Sequence, residues 1–228
     1  MNNQKVIIFD SGTLINFAMN GLLQEFRGLK QIFPGKFIIT REVKMEIIDR
    51  PLTIKRFELE ALKLNELLAE KVLEMPYSLG IEDNQISSAT AEIHNIANNT
   101  FFGRENAIHI TDLGEESCIA LSKLLNEKKI VNIISTDERT IRLLGEKPEN
   151  LLALLQKKLH TQINAKTENY KFFQGFRFIR SSELIYIAYK KGIVKLKNHD
   201  VLDALLYAMK FNGCAISDEE IAEMKRMK

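Results

Sequence analysis

The sequence predicts an α/β fold built on a parallel sheet, and three observations carry that expectation. Three short apolar runs rich in β-branched residues and phenylalanine, residues 6–9, 37–40 and 130–135, each end in or run directly into a polar residue and lead into a helical pattern. That is the rhythm of βα units in a sheet buried on both faces. Amphipathic helical stripes fill the intervals, and no repeat, low-complexity tract or Pro/Gly-rich linker separates them. A chain of 228 residues with 45% hydrophobic content is therefore expected to form a single unit over 1–228, enlarged by insertions.

Taken in order, the first run (6–9) is followed at once by Asp10, and Ser11-Gly-Thr-Leu14 opens a helix with Leu14, Ala18 and Leu22 on one face. The second run ends at Thr40, which can cap a helix carrying Val43, Glu46 and Ile47. Residues 52–107 form an enlarged helical section. Phe57, Ala61, Leu64, Leu68, Val72 and Met75 mark one long amphipathic helix, and Ile86, Ala89, Ile93 and Ile96 mark a second. Residues 108–111 are a weaker strand candidate that also serves as a lead into the helix with Cys118, Ile119, Ser122 and Leu125 inward.

After the third run comes Asp137 and a helix with Ile141 and Leu144. Residues 146–174 are the least regular, with one leucine-rich helix (Leu151, Leu152, Leu155, Leu159), and are expected to be an insertion. Residues 176–179 are a second weak strand candidate. A helix from Asp200 closes at Gly213, and Ser217-Asp-Glu-Glu220 is a capping box opening a last short helix.

The net charge of +2 does not announce a nucleic-acid binder by global electrostatics, so any such case rests on local features. The first 145 residues are net acidic and the remainder net basic. Cys118 and Cys214 lie far apart in apolar helical patterns and match neither a zinc spacing nor a disulfide framework. They suit small core residues in a reducing cytoplasm. No apolar run is long enough for a signal peptide or a membrane span, so a cytoplasmic protein without membrane contact is expected.

Four acids occupy positions where an open parallel sheet gathers ligands, just past strand ends or on helix faces turned toward the sheet. Asp10 and Asp137 follow the first and third runs, each also placed to cap the helix that follows it. Glu46 lies beside the Val43 and Ile47 stripe, whereas Glu42 and Asp49 can face water. Glu115 falls one turn before Cys118 and Ile119 on the inward face, while Glu116 groups with Lys123 and Glu127. Asp112 and Glu115 also have capping-box spacing.

Carboxylates gathered at about 4 Å in a partly desolvated site must take up protons or bind a cation. Hard oxygen donors favour Mg²⁺ or Mn²⁺, and the lack of a His/Cys cluster argues against zinc. One or two such ions about 3.5–4 Å apart suit phosphodiester hydrolysis. Ser11 and Thr136, beside the two aspartates, are candidates to orient water or phosphate oxygens. None of His94, His109, His160 and His199 has metal-ligand spacing or the setting of a general base.

These motifs resemble the PIN-domain nucleases, including the VapC-type toxins of toxin-antitoxin pairs. The matching stretches are Phe9-Asp10-Ser11, Val43-Lys-Met-Glu46, Leu113-Gly-Glu115-Glu-Ser-Cys-Ile-Ala120 and Ser135-Thr-Asp137-Glu, in the family's order. The tail from Gly175 through Ile193 to Glu219 also resembles one bacterial and archaeal subgroup. Where many relatives read Gly-Glu-x-Glu, the second acid is Ser117 here, which leaves the third ligand open between Glu115 and Glu116.

The resemblance implies a three-layer fold with a central parallel sheet flanked by helices, plus helical insertions. It implies an Mg²⁺- or Mn²⁺-dependent endoribonuclease acting on single-stranded RNA through Asp10, Glu46, Glu115 and Asp137. It further implies a toxin role with an antitoxin partner, and homodimerisation is a further expectation. The alternative is a degenerate scaffold that binds RNA or protein without cleaving. Phe9-Asp-Ser-Gly-Thr-Leu14 also resembles the haloacid-dehalogenase-like signature, but alignment puts Phe9 where that family needs its nucleophile.

Between residues 171 and 197, seven basic residues with one acid, Glu183, are interleaved with aromatics. Arg177, Arg180, Lys190 and Lys191 are the candidates for phosphate contacts there. The same pattern also fits a strand and helix with core aromatics and solvated lysines.

Overall fold

The structure, a computed structural model, describes residues 4–104 and 106–227. Strand β1 (Lys5–Phe9) leads through helices α1 (Ser11–Met19) and α2 (Leu23–Ile32) to β2 (Gly35–Ile38). Helix α3 (Arg41–Lys44) runs into a π-helical turn, Met45–Asp49, and a 3-10 turn, Pro51–Thr53, before α4 (Glu58–Ala69) and α5 (Asp83–Ala97). Short strands β3 (Phe101–Gly103) and β4 (Asn106–Ala107) precede α6 (Leu113–Glu127) and β5 (Val131–Ser135). The remainder comprises α7 (Arg139–Glu146), α8 (Pro148–Leu159), β6 (Ile163–Ala165), β7 (Phe178–Ile179), α9 (Ser181–Lys190), α10 (Val201–Phe211) and α11 (Asp218–Arg226).

The central sheet has the order β2-β1-β5-β7 and is parallel throughout. Val6, Ile7, Ile8 and Phe9 are all buried although alternate side chains point to opposite faces, because helices cover both sides. On one side Phe9, Phe17, Phe26 and Phe37 form an edge-to-face cluster with ring centroids 4.9–5.4 Å apart, which seats α1 and α2. Helix α6 covers the other side with Cys118, Ile119 and Leu121, and α5 stacks outside it. The result is a three-layer α/β architecture with a central four-stranded parallel sheet. One contiguous set of buried apolar residues runs from Val6 to Met224.

The chain moves from β1 to β2 on one side and returns to β5 on the other. The topological switch point therefore lies between the carboxyl ends of β1 and β5, where a crevice opens in such sheets. The register fixes what meets there: Phe9 pairs with Ser135, and the Asp10 N–H donates to the Ser135 carbonyl at 2.9 Å.

Several elements differ from the sequence expectation. The long helix expected through Met75 ends at Ala69, because Lys71 takes a left-handed conformation (φ 57°). The chain then runs extended beside β2, with Glu74 N–H donating to the Phe37 carbonyl and Ile39 N–H to the Glu74 carbonyl. Residues 108–111 form no strand and only lead into α6. The enlarged section and the expected insertion are also tied together: β6 pairs with β3 in a second, antiparallel sheet of order β4-β3-β6. No helix among the described residues is long and apolar enough to cross a membrane.

Candidate active site

Four of the sequence-predicted acids line one pocket of about 240 Å³ at the switch point. Asp10, Glu46, Glu115 and Asp137 share it with Ser11, Gly12, Ile15, Asp112, Glu138, Asn212 and Gly213. Six of these residues are acidic and none is basic.

Asp10 is buried at the N-cap position of α1, yet its side chain makes no cap hydrogen bond. Its Oδ2 instead accepts from the Thr136 hydroxyl at 3.0 Å, and the Ser11 hydroxyl lies 3.5 Å from Oδ1. Burial pushes its carboxyl up to about 6. Hydrogen bonds from Thr136 and the Ser11 amide oppose that rise, and the charges of Glu46 and Asp137 add to it. Thr136 thus links the ends of β1 and β5, and its Oγ1 also accepts the Glu138 N–H at 3.2 Å.

Asp137 does not cap the helix that follows it; Glu138 takes that position, accepting the Thr140 N–H. Asp137 Oδ1 accepts the Ser181 N–H at 2.8 Å, at the positive end of the α9 dipole, and Oδ2 accepts from Asn16 Nδ2 at 3.0 Å. Each oxygen keeps a free lone pair. Asn16 is fully buried and also donates to the Met209 carbonyl at 2.9 Å, tying Asp137 to α10. Asn20 donates to Asn16 Oδ1, and Asn212 to Asn20 Oδ1, each at 2.7 Å. Asn16 is a site residue outside the set the sequence predicts. Its signal was present as Thr13, Asn16 and Asn20, polar residues on one face of an otherwise apolar helix.

Glu46 lies in the π-helical turn, where Arg50 N–H donates to the Met45 carbonyl. Such turns displace side chains from the regular helical phase and recur at functional sites. The Glu46 carboxylate rests on Gly114: a Cβ at that glycine would stand 2.7 Å from one oxygen and 2.8 Å from the other. Burial raises its pKa, and the Ser11 hydroxyl, Arg50 and the Gly114 amide oppose that rise. Gly114 is a second residue whose role was not foreseen.

Glu115 lines the pocket while its Oε2 accepts the Asp112 N–H at 3.1 Å, closing a capping box. Burial, followed by the Asp10 charge, pushes its carboxyl up to about 9. Glu116 corrects an expectation. The sequence groups it with Lys123 and Glu127 and leaves it open as the third ligand, but it is fully buried and does not line the pocket. It accepts from the Thr111 hydroxyl at 2.7 Å, with His94 Nδ1 2.9 Å from its Oε2, because α5 packs over that face of α6.

The candidate phosphate contacts are not gathered here. Arg180 is buried and bound to Glu183, Glu220 and the Ala215 carbonyl, so its charge is already neutralised. Arg177 immediately precedes β7, where its carbonyl accepts the Ile134 N–H, and it does not line the pocket. Lys190 lies nine residues beyond Ser181 along α9, about 13 Å from the end that touches Asp137, and Lys191 follows it.

No family model matches the chain, and no curated protein or solved structure matches it either. The assignment therefore rests on the chemistry of the pocket. Among the described residues, no three His, Cys, Asp or Glu side chains are arranged to hold one ion together. Mg²⁺ takes one or two carboxylates and completes its shell with water and phosphate oxygens, so a cage of three is not required. A partly desolvated, all-oxygen donor set, with Asp10 and Asp137 buried and no basic residue in its lining, fits a hard divalent cation. Asp10 and Glu46 would hold it, with Asp137 in the same pocket lining.

Proposed function

We propose that this protein is a divalent-metal-dependent endoribonuclease that hydrolyses phosphodiester bonds in single-stranded RNA. The observation that carries the reading is the pocket at the β1/β5 switch point, lined by six acids and no base, with Asp10 pushed up to about 6 and Glu115 to about 9. Such a site stores repulsion that a bound cation relieves. The ordered likeness of its motifs to PIN-domain nucleases supports the same reading. A toxin role with an antitoxin partner rests on that likeness alone.

When bound, Mg²⁺ or Mn²⁺ supplies a lowered pKa for water and stabilisation of a leaving oxygen. Asp10, fixed by Thr136, faces the scissile phosphate from the end of β1. Asp137 is held rigidly by Asn16 and the α9 N-terminus, so it orients water without reorganising. Glu115, whose carboxyl burial and the Asp10 charge push up in the metal-free protein, is the acid of the pocket from which the departing 3′-oxygen would take a proton.

A second reading has a specific observation behind it. Glu115 folded back on Asp112 N–H, with no three-acid cage among the described residues, favours a scaffold that binds RNA or protein without cleaving. Incubation with a mixed single-stranded RNA pool and Mg²⁺ or Mn²⁺, beside EDTA and an Asp10→Asn variant, decides between them. Cleavage abolished by both controls is expected. Equal cleavage by Asp10→Asn would sink the mechanism, and no cleavage by the unaltered protein would favour the scaffold.

A further inference from the structure

We infer that the apolar groove beside the carboxylate pocket is a nucleobase subsite, receiving the unpaired base next to the scissile phosphate, with Arg50 reading its edge. The inference rests on the ribonuclease reading for its ligand class. The groove has a volume of about 530 Å³ and shares Ile15, Glu46 and Asn212 with the acid pocket, so the two cavities adjoin across these side chains. That volume lies within the range of small-ligand sites.

An acid-lined pocket repels a polyanion wherever its charge is not met by cations. Affinity for RNA must then come from non-electrostatic contacts close to the reacting phosphate. The groove supplies them. Ile15, Ile54 and Phe57 line it while remaining 42%, 45% and 41% exposed, apolar surface left in water beside a charged site. A base is planar and apolar on its faces, so an aromatic and aliphatic wall takes it without regard to sequence.

The polar groups of the groove differ from those of the pocket. Arg50 is the one basic residue in its lining, exposed just beyond the π-helical turn that carries Glu46, and Asn212 contributes an amide. Arginine donates two parallel hydrogen bonds to guanine O6 and N7, while glutamate can accept from exocyclic amino groups. A purine, guanine first, is the base this lining favours. The phosphate attached to that nucleoside then falls beside Glu46, which belongs to both cavities.

The test is a coupling measurement in the cleavage-impaired Asp10→Asn background with Mg²⁺ present. A fluorescent 12-nucleotide single-stranded RNA and a set with one abasic position each are titrated against the protein with and without Phe57→Ala, and against Arg50→Ala. One abasic position should weaken binding about tenfold with Phe57 in place and less than twofold without it. Arg50→Ala should reduce discrimination between guanine and the other bases at that position, about tenfold. Thermal melts confirm folding, which exposed positions tolerate.

Equal abasic penalties with and without Phe57 overturn the subsite. A Phe57→Ala effect confined to oligomeric state or to retention of a protein partner, with unchanged RNA affinity, overturns it too. If the unaltered protein fails to cleave yet the coupling holds, the ribonuclease reading falls and the subsite stands. If it cleaves and the coupling is absent, the reverse follows. No measurable RNA binding overturns both.

Discussion

Replacing Gly114 with alanine should separate the fold from the chemistry. The added Cβ would meet the Glu46 carboxylate at 2.7 and 2.8 Å and its carbon at 3.0 Å. Ordinary contact lies near 3.5 Å, so the carboxylate must retreat by roughly 0.7 Å. It is the far end of a flexible, half-buried side chain, so it moves rather than the backbone. Gly114 is the second residue of α6, where alanine is the better helix former, so stability should be unchanged or higher by up to about 1 kcal/mol. A misplacement near 1 Å in a catalytic group costs on the order of 100-fold. The expected result is a melting temperature equal to or above that of the unaltered protein, with kcat/KM for RNA cleavage down about 10- to 100-fold. Activity retained in full would refute the placement of Glu46 against Gly114 as a condition of catalysis.

Other expectations follow from the same geometry. Asp10 releases its proton at an ordinary 3.8 when unfolded and at about 6 when folded, so the folded chain holds more protons in that window. The stability of the metal-free protein should fall by about 3 kcal/mol as pH rises from about 4 to above 6, with Glu115 extending the decline; urea melts across pH check it. Mn²⁺ or Mg²⁺ at pH 7.5 should raise the melting temperature, and the rise should shrink in Asp10→Asn. Asn16→Ala strips a buried donor from both Asp137 and the Met209 carbonyl and should cost about 2–4 kcal/mol by denaturant titration, lowering kcat more than KM. Arg180→Ala leaves Glu183 and Glu220 without their buried partner and should cost about 3 kcal/mol, while RNA affinity of the folded fraction, measured by anisotropy, stays the same.

The sequence made the centre of the molecule legible because parallel strands covered on both faces are continuous apolar runs. Residues 6–9 and 130–135 could hardly be anything else, and the acids directly after them had to stand at a carboxyl edge. Helical phase turns Glu46 and Glu115 toward the sheet, and both line the pocket, Glu115 from α6 in regular phase and Glu46 from a π-helical turn that departs from it. The same phase failed for Glu116, because periodicity shows which face meets the sheet but not that α5 covers the opposite one. Asp137 showed its position but not its partners: Ser181 and Asn16 lie 44 and 121 residues away. Arg180 looked like a phosphate ligand in a basic stretch, while its neutralising Glu220 is 40 residues further along. Gly114 and the β3–β6 pairing share that cause, since long-range contact leaves no local period.

The β3–β6 pairing changes how the chain can be shortened. Phe102 pairs with Asn164 and Phe101 with Ala165, so the two stretches that depart most from a minimal βα plan close one loop of chain across about sixty positions. Excising either alone would strip the other of its hydrogen-bonding edge and leave Phe101 and Ile163 facing water, inviting intermolecular strand pairing. A trimmed protein would have to lose both stretches together or neither.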